Sequence, residues 1–180
     1  MNETTDHQPL TTGRRPGAAR LGGLVLGAAT VAMGLIAGFF FDWAVAIMPA
    51  LAKADDRTFV TVMLDLITTI NNSPLFMLAF TAALLLTTAA ALVLHTTGDR
   101  PAARWTFAAL ALYLVACTIT FAVHFPLHDA LAAAEPTNPA AAREDFESPW
   151  TTAHLIRTLA ATAALATLCR ALLLHRKSAG

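Results

Sequence analysis

From Leu66 to Gly98 the chain carries no Asp, Glu, Lys or Arg. A helix needs only ~20 apolar residues to cross a bilayer core, and a water-soluble domain with ~25% charged residues rarely leaves so long a stretch uncharged. Charged residues make up 13% of this chain, the AVILMFWYC set 56%, and mean hydropathy is +0.58. The chain therefore reads as an integral membrane protein with the lipid bilayer as its first partner.

At 180 residues it has room for one domain. Twelve Lys and Arg balance twelve Asp and Glu, so there is no basic excess for nucleic acid and no acidic tail. Cys117 and Cys169 both lie inside apolar stretches, which excludes a disulfide scaffold and a thiolate zinc cluster.

Residues 1–20 are polar and rich in Thr, Gly and Arg, and are expected to form a disordered cytoplasmic tail. The apolar run from Leu21 to about Leu51 is too long for the core of a signal peptide and reads as an uncleaved first span. Its Gly23/Gly27 and Gly34/Gly38 pairs make G-x-x-x-G faces. Such faces admit a neighbouring backbone, in the same bundle or in a homo-oligomer built through span 1.

Asp55 and Asp56 stand where an N-cap would accept backbone N–H groups, and Phe59, Val62, Met63, Leu66 and Ile70 follow at helical spacing. An amphipathic helix over about 56–72 is expected. Asn71 to Pro74 breaks it before a second span that runs to about Leu94, and a polar loop is expected over 96–104. A third span follows from Trp105 to about Val123. A long acidic, Pro-containing segment then leads to Ser148-Pro149, read as the N-cap and first residue of a fourth span over about 150–174. The expected fold is all-α: an integral membrane four-helix bundle over 21–175, with an extra amphipathic helix between spans 1 and 2 and a short cytoplasmic tail at 176–180.

An even number of spans returns both termini to one side. That side would hold Arg14, Arg15, Arg20, Arg100, Arg104, Arg170, Arg176 and Lys177, against Lys53, Arg57, Arg143 and Arg157 on the other. The bias puts both termini of a multi-pass plasma-membrane protein in the cytoplasm.

Three of the six histidines, His124, His128 and His154, then fall at the outer membrane boundary. His124 and His128 are spaced for one helix face, although Pro126 must kink that helix or start a new one. His154 and Arg157 share a face that must look into the bundle. Arg157 needs a partner, for which Asp42, Asp65 and Asp129 are the acidic candidates. Asp42 and Asp65 could instead mark a proton path, but no chain of acids continues across the membrane.

Two readings of the three histidines stay open. In one they are boundary residues making ordinary hydrogen bonds. In the other, three imidazoles and a carboxylate, Asp65 or alternatively Asp42 or Asp129, hold a transition metal, Cu or Fe before Zn, with a position open to a small ligand. Trp43, Trp150 and Phe121 are candidate liners of an aromatic pocket between spans 3 and 4, or else interface anchors. Cys117 reads as packing.

Several short patterns share an order: Met48-Pro49-Ala50-Leu51 after a Phe-rich span, Asp55-Asp56-Arg57-Thr58-Phe59-Val60, and Ser73-Pro74-Leu75-Phe76. Phe125-Pro126-Leu127 follows, and then Trp150, His154, Arg157 and Thr158. In this the chain resembles the anthrone oxygenase-like family of small bacterial and fungal membrane proteins, long catalogued as a domain of unknown function, over roughly residues 24–175. The family's N-x-P-x-N and W-x-x-x-N-x-x-R-T patterns would put Asn where this chain has His124, His128 and His154. Asp65 and Thr68 stand at the expected Gln and Asn of the second helix.

The resemblance implies an oxidoreductase that uses O2 on a planar aromatic or quinone-type substrate without a bound cofactor. His124, His128 or His154 would act as general base on an acidic anthrone proton, and Arg157 would stabilise the phenolate. In the metal variant the histidines would hold Cu or Fe. The alternative to catalysis is a helical membrane protein that binds a metal ion or small lipophile, or a structural partner subunit.

Overall fold

The computed structural model describes residues 16–134 and 138–179, all helical apart from short connections. Helix α1 runs Pro16–Asp42 and continues through a π-helical turn, Trp43–Ile47, into the short α2, Met48–Leu51. The amphipathic α3 is Asp56–Asn71 and α4 is Pro74–Thr96. Helix α5, Arg100–Ile119, passes through a second π turn, Thr120–His124, into α6, Phe125–Ala134, and α7 spans Pro139–Ala179.

Among the described residues four stretches are long and apolar enough to cross a membrane: Gly17–Leu51, Pro74–Thr96, Arg100–Ala134 and Pro139–Ser178. They form a ring in which α1 packs on α4 and α7, and α5 packs on α4 and α7. The fold is the expected membrane four-helix bundle with an added amphipathic helix.

The capping chemistry sets the helix starts. Asp55 accepts the Thr58 N–H at 3.0 Å and the Thr58 hydroxyl at 2.6 Å, starting α3. Ser73 accepts the Phe76 N–H, with Pro74 at the first helical position of α4. Between α4 and α5 the turn needs a positive φ, supplied by Gly98 at 79°. Asp99 then caps α5 through the Ala102 N–H.

Four boundaries differ from expectation. Residues 16–20 and 176–179 belong to α1 and α7 rather than to tails, and the remainder of the N-terminal tail lies outside the described residues. Arg100 to Arg104 is the first turn of α5 rather than a loop. The acidic segment after His128 is mostly helix. Pro149 does not start a helix but sits inside the 41-residue α7. A proline there removes a hydrogen bond and crowds the preceding turn. The turns on both sides are held by burial of Phe146 and Trp150, which keeps the helix continuous.

At ~1.5 Å per residue α7 is about 60 Å long, twice the hydrocarbon thickness. Its first part forms a cap with α2, α3 and α6 around Phe59, Val60, Met63, Leu131, Phe146 and Trp150. Arg143 braces this cap: it lies 4.5 Å over the Phe59 ring, pairs with Glu147 at 2.7 Å and Asp56 at 3.1 Å, and donates to the Ala52 and Ala54 carbonyls.

At the opposite end the start of α1 is tied to the last turns of α7. His175 Nδ1 lies 2.7 Å from Asp99 and Nε2 lies 3.0 Å from the Ala19 carbonyl, tying α1, α5 and α7. Close approach to α1 there depends on Gly22 and Gly23, whose absent Cβ positions lie 3.4 Å from the imidazole. Within the bundle, among the described residues, the Gly23/Gly27 and Gly34/Gly38 faces do not act as pairs: nothing lies within 4 Å of a Cβ placed at Gly27 or Gly38.

Candidate functional site

Both π turns lie where the bundle meets the cap. In each, an N–H bonds five residues back, from Met48 to Trp43 and from Phe125 to Thr120, a geometry that recurs at functional sites. The second turn lies just before Pro126 and carries α5 into α6 without a break in the helical backbone, Ile119 and Phe125 both lying in the α region. Carbonyls beside the two turns accept from imidazoles: Phe40 O from His154 Nε2 at 2.9 Å and Ile119 O from His124 Nδ1 at 3.3 Å.

These contacts imply the tautomers, because a carbonyl only accepts and an indole or guanidinium N–H only donates. His154 carries its proton on Nε2, and its Nδ1 accepts from Arg157 Nε at 3.1 Å. Trp150 Nε1 donates to His128 Nε2 at 3.0 Å, so the His128 proton is on Nδ1. His124 is protonated on Nδ1. Its Nε2, like His128 Nδ1, is buried without a partner.

The rings pack tightly. Trp150 stacks on His154 with centroids 4.7 Å apart and planes 9° apart, and meets His124 edge-on at 5.2 Å. The Arg157 guanidinium lies 4.4 Å over Phe40 and 5.7 Å from the Trp150 ring centre, a favourable position for a cation.

Arg157 is only 8% exposed and has no carboxylate partner among the described residues. Its bonds go to His154 and, at 3.3 Å, to the Thr120 hydroxyl. The expected acidic partners are elsewhere: Asp42, Asp65 and Asp129 are all exposed. Each lies two residues from a buried one, Phe40, Met63 and Leu131 respectively. At ~100° per residue that turns each carboxylate about 200° away from the packed side.

The proposed metal centre does not fit this arrangement. Among the described residues no three His, Cys, Asp or Glu side chains are grouped to hold an ion. Both His154 nitrogens are engaged, one by a cation, and among the described residues no carboxylate pairs with His124, His128 or His154.

Beside Arg157 lies a cavity of about 380 Å³, within the range of small-ligand sites. Its walls are aromatic: Phe39, Phe40 and Trp43 from span 1, Phe76 and Phe80 from α4, Phe121 and Phe125 from the third span, and Trp150 from α7. Arg157, His128, Thr120 and Cys117 also line it, and the end of α3 closes it with Ile67, Ile70 and Asn71. Of the four residues expected to be catalytic, His128 and Arg157 line the cavity, while His124 and His154 stand behind them.

The cavity is lined by all four spans, with Trp150 and Arg157 supplied by α7, rather than lying, as expected, between spans 3 and 4 alone. The interface of α5 with α7 is filled by close-packed alanines, including Ala109, Ala116, Ala161 and Ala164. A more open depression of about 590 Å³ on the cap is lined by Asp56, Arg143 and Glu147, whose charges are already paired.

Nothing in the sequence singles out Thr120, Phe40 or Phe80 as site residues, and Phe76 figures there only in the Ser73-Pro74-Leu75-Phe76 pattern. The Phe39-Phe40-Phe41 run was the one available sign of an aromatic wall. Trp43, Trp150 and Phe121 were weighed as liners and do line it. Trp43 adds a further buried indole N–H without a partner.

The sequence model of the anthrone oxygenase family matches residues 72–167, just over half of the chain. The chain belongs to the anthrone oxygenase family. The matched span runs from the end of α3 to the middle of α7 and holds His124, His128, Trp150, His154 and Arg157. It is narrower than the resemblance read from sequence: Met48 to Leu51 and Asp55 to Val60 lie outside it. No curated protein and no solved structure matches the chain. Within this anthrone oxygenase family member, the span 1 wall of the cavity, with Phe40 and Trp43, also falls outside the matched region.

Proposed function

We propose that the protein is a membrane-embedded oxygenase that uses O2 to oxidise a planar aromatic substrate of the anthrone type in the cavity beside Arg157. The observation that carries this reading is a nearly buried guanidinium, without a carboxylate among the described residues, in the wall of an aromatic pocket. An uncompensated buried cation is costly and is well placed to receive an anionic oxygen.

Loss of a proton from the ring CH2 of an anthrone puts negative charge on the conjugated oxygen. Arg157 stabilises that charge, and the Nδ1–H of His128 and the indole N–H of Trp43 are further donors without acceptors of their own. The base for that proton is His124, which stands behind the cavity wall against the His128 and Trp150 rings and whose Nε2 holds the lone pair left uncommitted. The electron-rich carbon then bonds to O2. Cleavage of the O–O bond leaves one oxygen as the new carbonyl and the other as water, so that CH2 and O2 become C=O and H2O. His154 holds Arg157 in place. The distribution of basic residues supports an orientation with both termini cytoplasmic and this site on the outer side.

Oxygen uptake by the purified protein in vesicles with anthrone tests the reading. Wild type should consume O2 and form the quinone, and Arg157→Met should lose most of the rate. Equal rates for the two would sink it, and ligand binding with no O2 consumption would favour a carrier or binding protein.

A further inference from the structure

We propose that the aromatic cavity is entered sideways from the bilayer, through a portal between α4 and the third span, by a planar aromatic molecule already dissolved in lipid. The inference deepens the oxygenase reading and rests on it for the identity of the ligand.

Besides Asn71 at the end of α3, four residues line the cavity and are exposed on the outside of the bundle at once. On α4 these are Met77, 39% exposed, and Thr81; on the third span they are Phe121, 58% exposed, and Phe125, 37% exposed. Met77 and Thr81 lie three and seven residues beyond Pro74, about 5 and 10 Å along the helix from its start. At that depth the solvent is acyl chain. The other walls are closed: Phe40, Trp43 and Trp150 are all buried.

The helix packing explains the gap. Helix α4 packs on α1 and α5, and at its start on α3, but not extensively along the second π turn or α6. The contacts of α4 with the third span are made mainly by α5, before the second π turn and Pro126. Phe121 and Phe125, edge to face at 5.2 Å, form one side of the opening. Met77, an adaptable side chain, forms the other.

The chemistry of the two ends differs. A hydrocarbon ring gains little by leaving lipid for an apolar pocket, since lipid tails are as apolar as the pocket wall. Retention must therefore come from the inner end, where Arg157 and the unpartnered Trp43 N–H offer donors. A molecule entering through the portal is held with its oxygen inward and its rings toward the lipid. The competing route is aqueous, past Asn71, the exposed liner at the end of α3.

The test uses the full chain in vesicles, with Trp105→Phe leaving Trp43 and Trp150 as fluorophores and Cys169→Ser removing the exposed thiol. Anthraquinone, delivered from loaded vesicles, is the probe, and saturable tryptophan quenching gives the rate of entry. Thr81→Cys and Asn71→Cys are each capped with N-phenylmaleimide after folding. The same treatment of protein retaining Thr81 and Asn71 controls for Cys117.

Capping at position 81 should slow quenching at least tenfold, and capping at position 71 less than twofold. The reverse pattern, equal rates, or no saturable quenching in the uncapped protein would overturn the proposal. Oxygen uptake with anthrone on the same samples separates the two readings. Uptake that persists after capping at 81 breaks the portal and leaves the oxygenase. Slowed entry at 81 without uptake in any sample breaks the oxygenase and leaves the portal.

Discussion

His154 accepts the Arg157 Nε–H at Nδ1 and donates from Nε2 to the Phe40 carbonyl, so one imidazole ties the guanidinium to the backbone of span 1. Because both nitrogens are in use, His154 is a positioning residue for Arg157 rather than a free base.

Replacing His154 should therefore damage the reaction through Arg157. A hydrogen bond to a charged group contributes about 1.5–3 kcal/mol, or roughly 10- to 150-fold. His154→Ala is expected to lower kcat/KM for anthrone oxidation within that range. His154→Gln, which keeps an acceptor, should recover part of it. Steady-state O2 uptake checks both, and equal losses in the two variants would remove the positioning role.

Arg157→Met separates stability from activity. Removing a buried charge that has no carboxylate relieves its desolvation cost, so the melting temperature in detergent should stay level or rise. The rate should fall by about 10²–10³, the usual effect of losing one donor to a developing oxyanion. A large drop in melting temperature would mean that Arg157 acts mainly in packing.

At the far end, His175 meets Asp99 at 2.7 Å and the Ala19 carbonyl at 3.0 Å in a site where Asp99 is fully buried. Breaking a buried pair by removing one partner typically costs about 3–5 kcal/mol. His175→Ala should be destabilised by that order in reversible denaturation, while KM for the aromatic substrate stays within about twofold of wild type, a ratio worth only ~0.4 kcal/mol.

The cap of α3 supplies a pH dependence. Hydrogen bonds from the Thr58 hydroxyl and backbone N–H hold the Asp55 carboxyl below its ordinary value of 3.8. The folded state thus favours the ionised form. Its contribution is fully present above the unfolded value and is lost as pH falls through the folded one. Asp55→Asn should be less stable than wild type at neutral pH, and the difference should shrink as pH drops below about 4. Denaturation measured at several pH values checks this.

The fold was legible because its signals are local. An uncharged stretch such as Leu66 to Gly98 has no stable place except lipid or a core. Asp55, Ser73 and Pro74 act on the backbone within a turn of themselves, so α3 and the start of α4 fall where spacing puts them. The boundaries that failed involve competition between local and tertiary terms. Pro149 signals a helix start, yet burial of Phe146 and Trp150 carries α7 through it.

The site was legible in part. His124, His128, His154 and Arg157 do gather at one end of the bundle, because ionisable groups in an apolar chain must find one another or water. Their roles were not legible. Which ring nitrogen is free follows from the Phe40 and Ile119 carbonyls and from Trp150, contacts between segments up to 114 residues apart.

By itself the sequence determined that this is a membrane helical bundle with an amphipathic cap helix, of the anthrone oxygenase kind, with its few polar groups near one boundary. Only the tertiary structure decided that Asp42, Asp65 and Asp129 turn outward, that Arg157 is left without a carboxylate among the described residues, and that the cavity is lined by all four spans. Composition and periodicity are summed along one helix at a time. The direction of a side chain in a bundle depends on how π turns and packing rotate one helix against the next.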